Sequence, residues 1–354
     1  MSRTSVSIIV PVYKTPVVLL QRFLKSALNQ TLSDIQIILV DDASPDDCPA
    51  LLDAAATKDK RIIVHHRSEN GRAGMARSDG LKIARGKYVI FADADDFMQP
   101  DMCEKLVALA EKRNADIVFS SWSVRNQDGK LTGKGCFPDR KYNLMKPRDR
   151  AKCYRSLNYA LWNKLFRYEI ISSLRFEQFE ANIGEDLLFN VAALCQSHIV
   201  ATTAYRGYDY TMHTGSATGR SSKGMSYLRT LAISGGRIKQ TLAAADGNIV
   251  DRKCADQLLL KRFTVGCGWI AENPDKDERS IMWAYWRRYL HEDLLPSLEF
   301  FRFLAAWYRL VTAISNVSTV CRLTRYAARI SDPLSFVDKV EARLVPKRRS
   351  CSAP

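Results

Sequence analysis

Short apolar runs alternate with helically spaced apolar residues through the first 120 positions. Ser5 to Val12 reads as a first strand, closed by Pro11 and Tyr13. Val17, Leu20, Phe23, Leu24, Ala27 and Leu28 then recur with the period of a helix, and Pro16 suits its first turn. Ile35 to Val40 is a second strand, running into Asp41-Asp42-Ala43-Ser44. A helix follows over Asp47 to Ala56, and a third strand at Ile62 to Val64. Asn70-Gly71 opens a helix whose small-residue face is Ala73, Ala76, Gly80 and Ala84, a stripe that lets a helix lie close to a sheet. Tyr88 to Phe91 is a fourth strand, Met102 to Arg113 a helix, and Asp116 to Ser120 a further strand. Alternation of this kind predicts βαβ units and a mainly parallel sheet. Right-handed crossovers then bring every strand end to one edge.

The chemistry concentrates at those ends. The fourth strand runs into Asp93-Ala94-Asp95-Asp96. Clustered carboxylates raise one another's pKa unless something positive neutralises them, and a divalent cation does so. Oxygen ligands suit Mg²⁺ or Mn²⁺ rather than zinc. Ligands of open α/β sheets bind beyond the carboxyl ends of the strands. A metal-bound, phosphate-carrying ligand is therefore expected there, against the plainer reading of a solvated acidic turn. Neither a GxGxxG loop nor a Walker A loop is present. A nucleotide would then be held by its base, its ribose and a metal on its phosphates. Asp41 or Asp42 would accept from a base N–H or ribose hydroxyl and Tyr13 would flank the base, unless the two aspartates only cap the next helix.

After Ser121 the pattern turns irregular, with Gly129, Gly133, Gly135 and Pro138 between short β-like pieces. Gly184-Glu185-Asp186 then opens a helix with Leu187, Leu188, Val191 and Leu194 on its apolar face. Two carboxylates there either complement the helix dipole or provide a general base held in a fixed direction. Farther on, His213 is a candidate metal or phosphate contact, and Lys164 a candidate mobile charge for phosphate.

Composition narrows the partners. The 354 residues are 46% hydrophobic and 26% charged, as in globular proteins, and a net charge of +15 favours anionic partners. Nine scattered cysteines without a CxxC pair argue against zinc and a disulfide framework, and for reduced thiols in the cytoplasm. The apolar part of the first twelve residues is too short for a signal peptide. No run of 18 uncharged apolar residues suggests a membrane span.

A set of short segments, taken in order, carries a family resemblance: Ser5 to Tyr13, Val40-Asp41-Asp42-Ala43-Ser44, Asn70-Gly71 with Ala76-Arg77 and Gly80, and Gly86 through Asp96. Asn163-Lys164-Leu165-Phe166, Gly184-Glu185-Asp186 and Tyr210 to Ser216 continue the set. Over about residues 5–220 the chain resembles a family 2 inverting glycosyltransferase of the GT-A fold. The resemblance implies that Asp41 and Asp42 hold uridine, with Pro11 and Tyr13 lining the base. It implies that Asp93, Ala94, Asp95 and Asp96 form the DxD region for the ribose and the metal-bound diphosphate, and that Asp186 is the catalytic base beside Glu185. Metal ligands would be Asp95, Asp96 and His213, the cation Mn²⁺ or Mg²⁺, and the donor a UDP-sugar. The acceptor would be a glycan or lipid-linked glycan, in cell-surface polysaccharide synthesis. Ser78 stands where the family often has Asn, and the QxxRW signature of processive synthases is absent.

The expected division is a catalytic domain over 1–220 and a helical basic region over 221–354. From Lys223 the chain carries 22 basic and 13 acidic residues. Helical patterns cover Met225–Ala244, Ala255–Ile270 and Ile281–Leu290. Leu298 to Ile330 mixes aromatic residues with arginines. It reads either as an ordinary core-facing helix or as a segment for the inner face of the membrane, and the Lys347-Arg348-Arg349 tail as a basic end. Two rival readings are a nucleotidyltransferase of similar fold, for which a Gly-rich basic loop is missing, and a basic binding module. The module accounts for the charge but not for the aligned aspartates. No zinc-finger, RRM or dsRBD signature points to nucleic acid.

Overall fold

The computed structural model describes residues 4–176, 184–213, 225–244, 248–273 and 275–294. The Leu298–Ile330 stretch, the basic tail and Thr214–Ser216 lie outside the described residues.

Four parallel strands form one half of a ten-stranded sheet: β1 (Val6–Val12), β2 (Ile35–Asp41), β3 (Ile62–His66) and β4 (Tyr88–Phe91), in the order β3-β2-β1-β4. Their near-continuous apolar runs reflect burial on both faces. The helices between them are α1 (Val17–Leu28), α2 (Cys48–Lys58) and α3 (Arg72–Ile83). Alternate residues of β1 face opposite layers. Val6, Ile8, Val10 and Val12 share a core with Phe23 and Leu24 of α1 and with Met102 and Leu106 of α4 (Met102–Arg113). Ile9 faces the other way, onto α3. There Gly80 lets the helix sit so close that an added Cβ would lie 2.4 Å from Ile9 Cγ2.

Beyond β4 the order continues β9-β6-β10-β5. These are β5 (Phe97–Met98), β6 (Ile117–Asn126), β9 (Lys164–Arg167) and β10 (Ile199–Met212). Strand β9 is antiparallel to both neighbours, so β6 runs in the direction of β4, and β10 is parallel to β6. Two hairpin-like additions, β7 (Leu131–Gly135) and β8 (Arg140–Asn143), pair with β6 and β10. Short helices α5 (Pro147–Ser156) and α6 (Tyr168–Ile171) precede α7 (Glu185–Cys195). The architecture is the expected mixed α/β sheet flanked by helices, followed by helices α8 (Met225–Ala244), α9 (Ile249–Glu272) and α10 (Lys276–Tyr289).

Strand β6 extends past the expected Ser120 to Asn126, and β10, for which no strand was expected, runs from Ile199 to Met212. The two pair along most of their length, with register shifts between Thr203 and Tyr208. Trp122-Ser123-Val124-Arg125 alternates apolar with polar residues, a period-2 signal that continues the strand expected over Asp116 to Ser120.

The chain divides into two compact units, residues 1–222 with 229–255, and 223–228 with 256–354. Within the second, Trp286 is fully buried, stacks on Phe263 at 5.5 Å and donates from its indole N–H to the Phe263 carbonyl. Asp275 caps α10 by accepting from the amides of Asp277 and Glu278. Among the described residues no helix is long and apolar enough to cross a membrane.

The α3–β1 approach yields a direct expectation. Gly80→Val forces a branched side chain against stiff, β-branched Ile9, and overpacking should destabilise by about 1–3 kcal/mol. Urea denaturation measures this, and a midpoint equal to that of the parent chain would show that the layer can open at no cost.

Candidate active site

Parallel pairing places the carboxyl ends of β1 to β4 along one edge. The Asp42 amide donates to the Val12 carbonyl, the Arg67 amide to that of Asp41, and the Ala92 amide to that of Ile9, each at 2.9 Å. Pro11–Tyr13, Asp41–Asp42 and Asp93–Asp96 thus follow adjacent strands. The strand order reverses between β1 and β4, the switch point at which open α/β sheets hold ligands.

Each aspartate has a distinct setting. Asp41 is buried; one carboxylate oxygen accepts from the Ser44 amide at 3.0 Å, and the other lies 3.0 Å from His66 Nδ1. His66 Nε2 lies 3.1 Å from Asp53. Hydrogen bonds to Asp41 first, and Asp53 second, raise the His66 pKa. Asp42 is buried too, and its Oδ1 accepts from Arg67 Nη1 at 2.5 Å and from the Gly71 amide at 2.9 Å. The Asn70 side chain donates to the Asp42 carbonyl. Both aspartates therefore tie the β2 end to the segment before α3. Pro11 is half-buried, whereas the Tyr13 ring is 45% exposed at the mouth.

A single buried guanidinium joins the two acidic clusters. Arg77, on α3, donates from Nη2 to Asp93 Oδ1 at 2.9 Å and from Nη1 to Asp186 Oδ1 at 2.8 Å, with Glu185 Oε1 at 3.9 Å. Its guanidinium sits 5.9 Å over the Phe176 ring, which stacks on Phe189 of α7 at 4.5 Å. Burial disfavours the charge of Arg77, but Asp186, Asp93 and Glu185 together more than restore it. Asp93 and Asp186 keep 30% and 26% of their side chains exposed. Burial pushes the Asp93 carboxyl up to about 6, with Arg77 opposing and Asp95 and Asp186 reinforcing. Burial and then Asp186 push Glu185 up to about 7, against Arg77. Asp186 lies in the first turn of α7, beside Glu185. Its own carbonyl accepts from Asn190 Nδ2 at 2.7 Å.

Asp95 meets His213 across 118 positions of sequence, Oδ2 to Nε2 at 2.7 Å. A carboxylate and an imidazole converging at the end of β10 suit one side of a divalent-cation site, in which oxygens of a bound diphosphate would complete the shell. Among the described residues there is no set of three or more His, Cys, Asp or Glu side chains arranged as a cage.

Two expected site residues are placed elsewhere. Asp96 is 0% exposed, accepts from the Thr211 amide at 2.7 Å and neighbours the Tyr208 hydroxyl. Burial, then Asp95 and Asp93, raise its pKa well above the usual range. As placed it braces β10 and does not face the crevice with Asp95. Lys164 is likewise 0% exposed, not a mobile charge. Its ammonium donates to the carbonyls of Asn158 at 3.0 Å and Ala160, and to Asn163 Oδ1 at 3.0 Å. Burial pulls its pKa down to about 7, while Asp186 pulls it back up. Three carbonyl acceptors match the three protons of an ammonium, so Lys164 is held immobile in the wall near Asp186, with its charge only partial at neutral pH. Ala94 is buried and offers no polar side chain to the crevice.

Sequence reasoning gave no site role to Arg77, Arg67 or His66. The signal for them was the acidity itself, since buried carboxylates require cations, and all three lie in the segment that follows β2. Ser78, in place of the more usual Asn, uses its hydroxyl to accept from the Phe176 amide at 2.8 Å, which fixes the approach to α7.

A parallel sheet whose acidic strand ends face a second carboxylate pair on a helix N-terminus defines a GT-A-type α/β enzyme. A model described as glycosyl transferase family 2 matches residues 7–175. A protein of Bacillus subtilis (strain 168) named as a putative glycosyltransferase, EpsH, is 30% identical over 251 residues, 69% of this chain and 70% of that protein. EpsJ of the same organism is 34% identical over 203 residues, 55% of this chain and 57% of that one. Among solved structures, S. aureus TarS 1–349 in complex with UDP-GlcNAc shares the fold, with a TM-score of 0.67 at 17% identity, covering 93% of this chain and 92% of that one. This chain belongs to glycosyl transferase family 2 and is a glycosyltransferase.

The raised Glu185 carboxyl makes a pH prediction. Relative to an unfolded value of 4.5, a folded value of about 7 means that the native state holds the proton more tightly. That stability is complete below pH 4.5 and is lost as pH rises toward 7. Glu185→Gln should therefore flatten the fall in melting temperature across this window; an unchanged slope would assign the fall to other groups.

Proposed function

We propose that the chain transfers a sugar from a UDP-sugar to a hydroxyl of a glycan or lipid-linked glycan, by a single displacement that inverts the anomeric carbon. The observation that carries this reading is the Arg77 bridge, which sets Asp93 of the donor edge and Asp186 of α7 within reach of one guanidinium. A reaction in which the bond from a sugar carbon to a diphosphate breaks as a hydroxyl oxygen bonds to that same carbon needs those two functions side by side.

In this reading Tyr13 and Pro11 flank the base, and Asp41 and Asp42 shape the uridine pocket. Asp93 receives the ribose or donor sugar. Asp95 and His213 would hold Mn²⁺ or Mg²⁺. When bound, the cation supplies positive charge against the leaving diphosphate. Asp186 accepts the proton of the acceptor hydroxyl, whose oxygen attacks the anomeric carbon from the face opposite the UDP. The carbon becomes cationic as its bond to the diphosphate breaks, much as in glycoside hydrolysis. Arg77 fixes the direction of the Asp186 carboxylate through its hydrogen bond, and Lys164 lies in the wall behind it. Residues 1–220 carry this chemistry, and the basic region beyond them contacts an acidic acceptor or an anionic membrane surface at the cytoplasmic side. Membership of the family supports a role in cell-surface polysaccharide synthesis.

Asp186→Asn keeps shape and hydrogen bonding but removes the base. Transfer from UDP-sugars should fall by about 10²–10⁴-fold, while UDP binding with Mn²⁺, followed by calorimetry, stays within a small factor. Equal loss of both would remove Asp186 from the role of base.

A further inference from the structure

We propose that Arg22, a residue of α1 that stands outside the acidic clusters, is a positioning residue for the Asp95–His213 pair. This rests on the donor-site reading above. The Nη2 of Arg22 donates to two acceptors at once: the backbone carbonyl of Asp95 at 2.9 Å and the Thr211 hydroxyl at 2.6 Å. The first belongs to the residue whose carboxylate meets His213; the second lies two positions before His213 on the same strand end. One nitrogen thus holds both halves of the pair from behind.

The rest of the joint explains why such a staple matters. The loop after β4 is bonded to β10 at two further points: the Asp93 amide donates to the Tyr208 hydroxyl at 2.9 Å, and the Thr211 amide donates to Asp96 at 2.7 Å. Those bonds fix the base of the joint, at Asp93 and Asp96. Asp95 lies between them, and its carbonyl is fixed by Arg22. A cation ligand must be held in orientation as well as in place, and groups behind the ligands supply that orientation. Arg22 Nε is buried and has no hydrogen-bond partner among the described residues. A guanidinium kept in a place that leaves one of its donors unsatisfied is held there by its Nη2 contacts.

Two effects of Arg22 oppose each other. Its charge repels an incoming cation, while its hydrogen bonds orient the ligands. The contact is with a carbonyl and a hydroxyl and not with the carboxylate, so orientation is the larger effect.

The test measures Mn²⁺ uptake in the presence of UDP, by electron paramagnetic resonance of free Mn²⁺, for the full chain and for Arg22→Met, Arg22→Lys and Thr211→Val. Loss of a group that orients a ligand weakens metal sites by about 10–100-fold, and Arg22→Met should lie in that range. Arg22→Lys should recover part of the loss, because an ammonium can still donate to one or both acceptors. Thr211→Val keeps the volume and removes one acceptor, so it should show a smaller loss, and it decides the matter if Arg22→Met fails to fold. His213→Ala marks the loss expected when a ligand itself is removed. Binding in the Arg22 and Thr211 variants that is equal to or tighter than in the parent overturns the proposal. Absence of Mn²⁺ uptake in the parent chain would instead sink the cation site of the donor reading, a separate failure.

Discussion

The structure of the site depends on one cation shared between two anions. Arg77 is buried, and without it Asp93, Glu185 and Asp186 would face one another, with Lys164 in the wall behind Asp186. A buried carboxylate costs several kcal/mol unless paired, so the bridge allows the donor edge and the α7 terminus to approach. Both of its anions remain partly exposed. The same ion pairs that make the approach tolerable also fix the direction of the Asp186 carboxylate. Removal of the guanidinium would leave uncompensated carboxylates facing each other, so α3 is as much a part of the site as the strand ends are.

The position of Arg77 is in turn a packing matter. Helix α3 presents Ala76 and Gly80 to the sheet, and Gly80 brings it against Ile9. From that depth the next side chain, Arg77, reaches past the sheet edge to Asp93. On its other side α3 meets α7 closely at Gly74, where an added Cβ would sit 3.3 Å from Phe176 and 3.7 Å from Glu185. Stacked Phe176 and Phe189, with Phe91 edge-on to both, fill the space beneath the guanidinium. Small residues on α3 and aromatic residues below it are two parts of one device that sets the distance between the donor edge and Asp186.

The far side of the crevice is built on β10. Its register shifts let one long strand pair with β6 over most of its length and still deliver Tyr208, Thr211 and His213 to the loop after β4. Trp162 stacks across Tyr208 and Tyr210 at 4.8 and 5.6 Å, which stiffens that end. Rigidity on both sides fits a site that must hold a charged donor in one orientation before bond breaking, because preorganised charges act without reorganising during the reaction.

The alternation of apolar runs and helical spacings determined the parallel half of the sheet, and helix α4 and strand β4 lie within the residues expected for them. Acidic residues after β2 and β4 were legible as a common edge, because parallel strands joined by right-handed crossovers leave little choice. The side chains that balance those acids were not legible. Arg77 and Lys164 were visible as letters, but whether a basic side chain faces water or is buried against carboxylates depends on helix rotation and depth. Asp96 shows the same limit from the other direction: adjacent to Asp95 in sequence, it is buried against Thr211 because the chain makes a tight turn there, closed by the Asp96 amide donating to the Asp93 carbonyl at 3.2 Å. Local periodicity is a property of neighbours along the chain and can be read from it. Charge pairing between positions 16, 109 or 118 residues apart exists only once the chain has folded, so the tertiary structure alone decided which acids stay partly exposed and which are buried against the protein.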